Sequence, residues 1–132
     1  MIGVTGSGKT SLIKAISGEI MGEEGYQNPI PTYGFDIKNI QFEDQLLNVW
    51  DIGGSQEQTL YWSTYLDNVD AIIYVIDGSS KERFEEAGVA LLLFLEEPIM
   101  QESLNVPLLI FNNKCESKDA ISNEFLISEL GL

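Results

Sequence analysis

The chain has 132 residues, and its 21 acidic and 7 basic side chains give a formal net charge of −14 at neutral pH. One domain fits this length, and the acidic balance argues against nucleic acids and anionic membranes as partners, since both select basic surfaces. The sequence contains no histidine and one cysteine, so it offers neither a histidine-based metal site nor an internal disulfide. We expect a cytoplasmic protein without a signal peptide, membrane span or lipid anchor, which reaches membranes only through partners.

A phosphate-binding motif occupies residues 3–10, which read Gly-Val-Thr-Gly-Ser-Gly-Lys-Thr. This is the G-x-x-x-x-G-K-[S/T] pattern, in which backbone N–H groups of a glycine-rich loop surround phosphate oxygens where a helix begins. Lys9 of such a loop reaches the β- and γ-phosphates, and the Thr10 hydroxyl binds Mg²⁺. Apolar residues before the motif and the amphipathic Ser11–Ile16 segment predict the strand and helix that it requires. A chance glycine-rich turn is the less favoured alternative.

The rest of the chain alternates between patterns typical of strands and of helices. In chain order these are a surface loop over Gly18–Tyr33, hairpin strands Phe35–Phe42 and Leu46–Trp50 around a turn at Glu43–Gln45, a loop becoming a helix over Asp51–Tyr65, a buried strand Ala71–Ile76, a helix Glu82–Leu95, a buried strand Val106–Phe111 and a helix Ser122–Leu130. This alternation predicts a doubly wound, mostly parallel α/β sheet with one antiparallel hairpin strand. Ligands of such sheets bind at the carboxyl ends of the strands.

Two polar clusters follow predicted strands at that edge. Asp51 is placed to hold Mg²⁺ through water, and Gly54 to offer its N–H group to a γ-phosphate, although D-x-G-G is also a common turn. In Asn112–Glu116, a carboxylate can accept two hydrogen bonds from one edge of guanine, a donor pair that adenine lacks. A plain polar loop is the alternative for that cluster.

Together, these motifs resemble those of small GTPases. The residues that carry the likeness are the phosphate loop, Pro31-Thr32-x-Gly34-Phe35, Val49-Trp50-Asp51-Ile52-Gly53-Gly54 and Asn113-Lys114. The Trp-Asp-x-Gly-Gly and Pro-Thr-x-Gly-Phe strings are similar to the ADP-ribosylation-factor-like (Arf-like) branch. The resemblance implies a P-loop NTPase G domain over residues 1–132, a GTP/GDP switch that uses Mg²⁺, and a role in intracellular transport.

The resemblance also assigns roles to residues. Thr32 would join the Mg²⁺ site only when a γ-phosphate is present, and Gly54 would sense the same phosphate. Effectors, exchange factors and activating proteins would bind two switch segments, Gly25–Gly34 and Asp51–Tyr65. The residues expected to contact the nucleotide are Gly3, Thr5, Gly6, Ser7, Gly8, Lys9, Thr10, Ser11, Asp51, Gly54, Asn113, Lys114 and Glu116. The expected metal ligands are Thr10, Thr32 and Asp51, and the catalytic candidates are Lys9 and Gln56.

The chain departs from the family pattern at several positions. Ser55 stands where the family usually has a water-orienting glutamine, and Gln56 lies one residue later, so we expect slow GTP hydrolysis. Glu116 replaces the aspartate of the guanine motif, which makes guanine specificity an open question. Thr5 occupies a phosphate-loop position where glycine or aspartate is frequent. The chain is also shorter than the family at both ends, where its G domain would be incomplete, and we expect exposed apolar surface on the sheet as a result.

Two other classes of function stay open: a pseudo-GTPase scaffold or fragment that binds partners without hydrolysis, and an ATP-using P-loop enzyme. Three further expectations concern single segments. The apolar run Val89–Leu95 is predicted to be helix core, and Arg83 to have a surface role. Tyr61, Trp62 and Tyr65 form either an effector-facing aromatic patch or a group packed on the sheet.

Overall fold

The structure of the chain is a computed structural model that describes residues 1–18, 30–102 and 106–131. Its strands are β1 (Phe35–Phe42), β2 (Gln45–Ile52), β3 (Ile72–Asp77) and β4 (Leu108–Asn113). Its helices are α1 (Lys9–Ile16), α2 (Gln56–Thr59), α3 (Lys81–Leu95), α4 (Pro98–Glu102) and α5 (Asn123–Leu130), with a 3-10 turn at Trp62–Tyr65. Most of the predicted loop Gly18–Tyr33, and half of the switch segment Gly25–Gly34, lies outside the described residues.

The sheet combines an antiparallel hairpin with a parallel pair. β1 pairs with β2 along its whole length, and β3 pairs in parallel with β4. The N-terminal segment links the two pairs, because the Ile52 N–H group donates to the Met1 carbonyl and Ile2 forms a parallel bridge with Tyr74. The predicted mostly parallel α/β sheet with one antiparallel hairpin is therefore confirmed, and it brings the phosphate loop between β2 and β3.

The core lies where α3 and the 3-10 turn cover β3. Trp62 and Tyr74 are fully buried, and the Trp62 ring makes edge contacts with Tyr74 and with Phe94 at centroid distances of 5.7 and 5.9 Å. The buried Tyr74 hydroxyl donates to the Ala87 carbonyl of α3 at 2.7 Å, which satisfies its polar atom and ties helix to strand. Burial raises the pKa of this hydroxyl.

Some predictions about single segments are wrong. β2 runs on through Asp51 and Ile52, so the segment predicted as a loop begins inside a strand. The run Val89–Leu95 is only half core: Leu91 and Phe94 are buried, whereas Val89 and Leu93 are each 60% exposed. The expected exposed apolar surface at the sheet edge is present at Leu109. No described helix is long and apolar enough to cross a membrane.

Candidate nucleotide-binding site

A cavity of about 460 Å³ lies at the carboxyl end of the sheet, around the phosphate loop. It is lined by Thr5, Gly6, Gly8, Lys9, Thr10, Ser11, Ile30, Pro31, Thr32, Gly53, Gly54 and Lys114. Segments far apart in the chain therefore meet where the sequence places a phosphate site. Gly8 adopts a left-handed backbone, and a Cβ atom there would overlap the Asn113 amide, so this position requires glycine.

Lys9 is buried beneath the loop and bonds to its backbone. The ammonium donates to the carbonyls of Gly3 and Val4 at 2.5 and 3.2 Å. Burial lowers the pKa of Lys9 to about 8, against the opposing attraction of Asp51. This cation lines the cavity, and negative charge on a ligand there would raise its pKa.

Three oxygen-bearing side chains meet beside Lys9. The Thr10 hydroxyl donates to Asp51 Oδ2 at 2.5 Å, and Thr32 Oγ1 lies 3.0 Å from Thr10 Oγ1 and 3.4 Å from Asp51 Oδ2. The other carboxylate oxygen, Asp51 Oδ1, is buried without a hydrogen-bond partner in the described parts of the chain. Hydroxyl and carboxylate oxygens with one atom unsatisfied fit a Mg²⁺ site, since Mg²⁺ binds hard oxygen ligands and keeps several waters.

The second switch segment contacts the phosphate loop through Gly54. The Thr5 N–H group donates to the Gly54 carbonyl at 2.9 Å. A Cβ atom at Gly54 would overlap the backbone of Gly3 and Val4, and backbone atoms cannot move aside as a flexible side chain can. Close packing at this position thus requires glycine. The Gly54 N–H group remains the predicted donor to a γ-phosphate.

The cluster after β4 braces the loop from the opposite side. The Asn113 side-chain amide donates to the Ser7 carbonyl at 2.9 Å, and the Lys114 ammonium donates to the Gly6 carbonyl at 2.6 Å. Lys114 also pairs with the buried Asp77 carboxylate at 2.7 Å. Burial alone would raise the pKa of Asp77, but hydrogen bonds from Lys114 and Ser79 hold it below its ordinary value.

Arg83 joins this network, so the prediction of a surface role for it is wrong. Its guanidinium donates to the Thr5 carbonyl at 2.5 Å and lies 3.4 Å from Asp77 Oδ2, while it also pairs with Glu86 at 2.5 Å. The first turn of α3 is thereby tied to the phosphate loop 78 residues earlier. No sequence motif marks this contact, because it depends on where α3 packs.

Only some of the predicted catalytic and base-binding residues line the nucleotide cavity. Gln56 is exposed and lies in a second groove between α2 and α3, called here the α2–α3 groove, rather than in the nucleotide cavity. It begins α2 and is not among the residues that line the nucleotide cavity. Glu116 is exposed and does not line the nucleotide cavity. Ser7 is fully buried under the loop, with a hydroxyl that has no partner among the described residues.

Ser55 has a structural role at the position where the family has glutamine. It precedes the first residue of α2, where its N–H group donates to the Gln58 side chain at 3.3 Å and its hydroxyl to Glu57 at 3.0 Å. These bonds satisfy groups at the helix start, as capping residues do. The hydroxyl is therefore turned to its own helix.

The aromatic residues of the switch side fall into two groups. Trp62 is core, and its indole N–H group donates to the Gly53 carbonyl at 3.0 Å, so it anchors the Gly53-Gly54 turn. Phe35 and Trp50, both partly exposed, stack at 5.1 Å, with the Tyr65 ring 5.6 Å from Phe35. Packing on the sheet is thus confirmed for Trp62, and the effector-facing interpretation stays a prediction.

Comparisons with known proteins agree with this geometry. The profile of the ADP-ribosylation factor family matches residues 1–132. ADP-ribosylation factor-like protein 3 from Caenorhabditis elegans is 38% identical over 133 residues, covering all of this chain and 68% of that protein. The Chlamydomonas reinhardtii protein of the same name is 36% identical, with 70% of its length covered. ADP-ribosylation factor-like protein 8c from Arabidopsis thaliana is 34% identical, with 68% covered.

A solved structure extends the agreement to the fold. The Arl6 BBS3 small GTPase from Trypanosoma brucei, with the bound nucleotide analogue GppNp, superposes with a TM-score of 0.82 at 27% identity. The match covers 99% of this chain and 74% of that one. The chain therefore belongs to the ADP-ribosylation factor family and is an Arf-like small GTPase by sequence and by fold.

Proposed function

We propose that the protein is a Mg²⁺-dependent GTP/GDP switch with slow intrinsic hydrolysis, and that its output is the binding of effector proteins. The observation that carries the proposal is the meeting of Thr10, Thr32 and Asp51 beside Lys9. Thr32 comes from the first switch segment, Asp51 from the second and Thr10 from the phosphate loop. A ligand that binds this cluster is therefore in contact with every segment that a switch has to order.

The nucleotide would lie with its phosphates along the loop. Lys9, the loop N–H groups and Gly54 would hold the phosphate oxygens, and Thr10, Thr32 and Asp51 would hold Mg²⁺, which neutralises phosphate charge when bound. Hydrolysis would join a water oxygen to the γ-phosphorus and break its bond to the oxygen that leaves with GDP. Since this chemistry depends mainly on positioning, the residue that orients the water sets the rate.

Slow hydrolysis follows from the start of α2. Ser55 is engaged with its own helix, and Gln56 faces the α2–α3 groove. Neither side chain lines the nucleotide cavity. An activating protein would have to supply the missing group, and a pseudo-GTPase that never hydrolyses its nucleotide is the alternative that the same observation favours.

The effector surface would include the cluster of Phe35, Trp50 and Tyr65. Phe35 and Trp50 are 47% and 40% exposed, and these three rings connect β1, β2 and the end of the second switch segment. Partly exposed aromatic clusters are typical centres of protein interfaces. We further propose a cytoplasmic role in intracellular transport, with membrane recruitment through such partners.

A nucleotide titration tests the proposal. Nucleotide-free protein is titrated with fluorescent GDP, with and without Mg²⁺, and competed with GTP, ADP and ATP. Tight binding that requires Mg²⁺ and that only guanine nucleotides compete supports the switch. Folded protein that binds none of these nucleotides contradicts the proposal and leaves the scaffold, and preference for ATP indicates the ATP-using enzyme.

Single-turnover hydrolysis tests the rate. We expect Ser55→Gln to speed release of phosphate by about tenfold or more, because it puts a glutamine at the water-orienting position. The matched control is Gln56→Ala, which removes a side chain outside the cavity and should leave the rate unchanged. A reduced rate in Gln56→Ala would show that Gln56 does orient the water. Because Ser55 caps α2, both variants are first compared in thermal melts.

A further inference from the structure

The α2–α3 groove is a further large concavity of the described molecule, with a volume of about 640 Å³. Its walls are Thr59 and Leu60 beside α2, and Val89 and Leu93 on α3. Leu60 is 73% exposed, and Val89 and Leu93 are 60% exposed each. Apolar side chains at helical spacing that face each other across a groove are costly to leave in water, so they indicate a surface that is covered by a partner.

The rim of this groove is acidic. Four glutamates of α3 and its C-terminal end border it: Glu82, Glu85, Glu86 and Glu97. The ion pairs seen in the described part of the chain reach only Glu85, which an exposed lysine approaches at 3.9 Å, and Glu86, which Arg83 contacts. Among the residues that the structure describes, no lysine or arginine lines the groove itself. The charge thus repels acidic and anionic occupants and attracts a basic one.

We infer that the α2–α3 groove binds a basic amphipathic helix of a partner protein. Such a helix would place apolar side chains at i, i+3, i+4 and i+7 between Leu60 and Leu93, and lysine or arginine side chains against the glutamate rim. A groove between two helices with apolar walls suits helix-in-groove recognition. A second copy of this chain or a lipid surface fits less well, since the net charge of −14 repels both an identical acidic chain and anionic lipids.

The groove also touches the nucleotide cavity. Gly54 lines both, and α2, which forms one wall, begins directly after it. Movement of Gly54 with the nucleotide would therefore change the width of the groove. This coupling rests on the proposed switch function, whereas binding of the helix itself does not.

A synthetic peptide tests the inference. The probe is a fluorescein-labelled helix of about 18 residues with leucine at i, i+3, i+4 and i+7 and lysine on both flanks. Its binding to the full chain is measured by fluorescence anisotropy, without nucleotide and with GDP or GppNp. We expect saturable binding that weakens as salt is raised. A peptide with glutamate in place of lysine, and a scrambled peptide of the same composition, should not bind.

Matched variants locate the binding surface. Leu93→Ser should weaken binding about fivefold or more, because it removes an apolar wall. Leu92→Ser, which alters a 48% exposed leucine outside the groove, should leave it unchanged. Glu97→Lys should weaken binding about threefold and reduce the salt dependence, whereas Glu96→Lys, one residue outside the rim, should have less effect. Circular dichroism confirms that each variant folds.

Several results would overturn the inference. These are no binding of the basic peptide, equal binding of the acidic peptide, equal losses in the two leucine variants, or a wild-type dimer that Leu93→Ser converts to monomer. Peptide binding that is the same in every nucleotide state supports the groove and contradicts only the coupling. If the chain binds the peptide but binds no nucleotide, the result contradicts only the proposed function.

Discussion

The nucleotide cavity and the α2–α3 groove share Gly54 but are lined by different types of residue. The cavity is lined mostly by glycines and hydroxyl side chains around the buried Lys9. The groove is lined by apolar side chains, glutamates and a few uncharged polar residues. The first arrangement tolerates little change where a Cβ atom would overlap neighbouring atoms, as at Gly8 and Gly54. The second depends on side chains that can be exchanged singly, and in nucleotide-free protein variants of the two sides should therefore behave independently.

We expect the largest difference between the effects on nucleotide binding and on peptide binding in the Lys9→Met variant. The variant removes the buried ammonium that would contact phosphates, and charged hydrogen bonds contribute roughly 1.5–3 kcal/mol each. Binding of fluorescent GDP should weaken by about 100-fold or more, which is the loss of two such bonds. Peptide binding in the groove, measured without nucleotide, should be unchanged. Leu93→Ser should show the reverse pattern, and parallel losses in both variants would mean that the sites are not separate.

Gly54→Ala probes the shared border. A Cβ atom at Gly54 would overlap backbone of the phosphate loop, and overpacking of this kind costs about 1–3 kcal/mol of stability. The matched control is Gly53→Ala, whose Cβ atom would meet the side chain of Gln58, which can move. Chemical denaturation should therefore show the greater loss for Gly54→Ala. Equal stability of the two variants would contradict the packing requirement.

The stability of nucleotide-free protein should rise with pH above 8. The folded pKa of Lys9 is lowered to about 8 from 10.5, so between these values the unfolded chain binds more protons than the folded one. From pH 8 to 9.5 this adds about 1.5 kcal/mol. The rise is measured as the difference between denaturation curves of wild type and Lys9→Met, and a flat difference would contradict the lowered pKa.

The smallest effect concerns Arg83. Arg83→Ala removes the bonds to the Thr5 carbonyl and Asp77, and we expect GDP to dissociate about tenfold faster, the loss of about one charged hydrogen bond. The control is Lys81→Ala on the same helix, which breaks only an exposed pair with Glu85 and should leave the rate unchanged. Stopped-flow release of fluorescent GDP measures both. An unchanged rate of GDP dissociation in Arg83→Ala would show that Arg83 does not support nucleotide binding.

Local patterns were enough for much of the fold and for the phosphate loop. The buried strands and α3 were predicted to within two residues of their observed ends, since continuous apolar runs and helical spacing reflect nearest neighbours in the chain. Helix α4 was not predicted, because its five residues are too few to show the spacing of apolar side chains that is typical of a helix. The exposure of Val89 and Leu93 was missed for another reason: hydrophobicity alone does not show which face of α3 the sheet covers.

By itself, the sequence determined the phosphate motif, the order of strands and helices, and the likeness to Arf-like GTPases, because each depends on residues close together in the chain. The likeness also predicted that Thr32 joins Thr10 and Asp51, as the structure shows. Only the tertiary structure decided that Gln56 lines the groove and that the exposed leucines of α3 border acidic side chains. Arg83 belongs to the same class, since its contact with the phosphate loop joins residues 78 positions apart. Such contacts are set by how helices pack on the sheet, and packing depends on the whole chain at once.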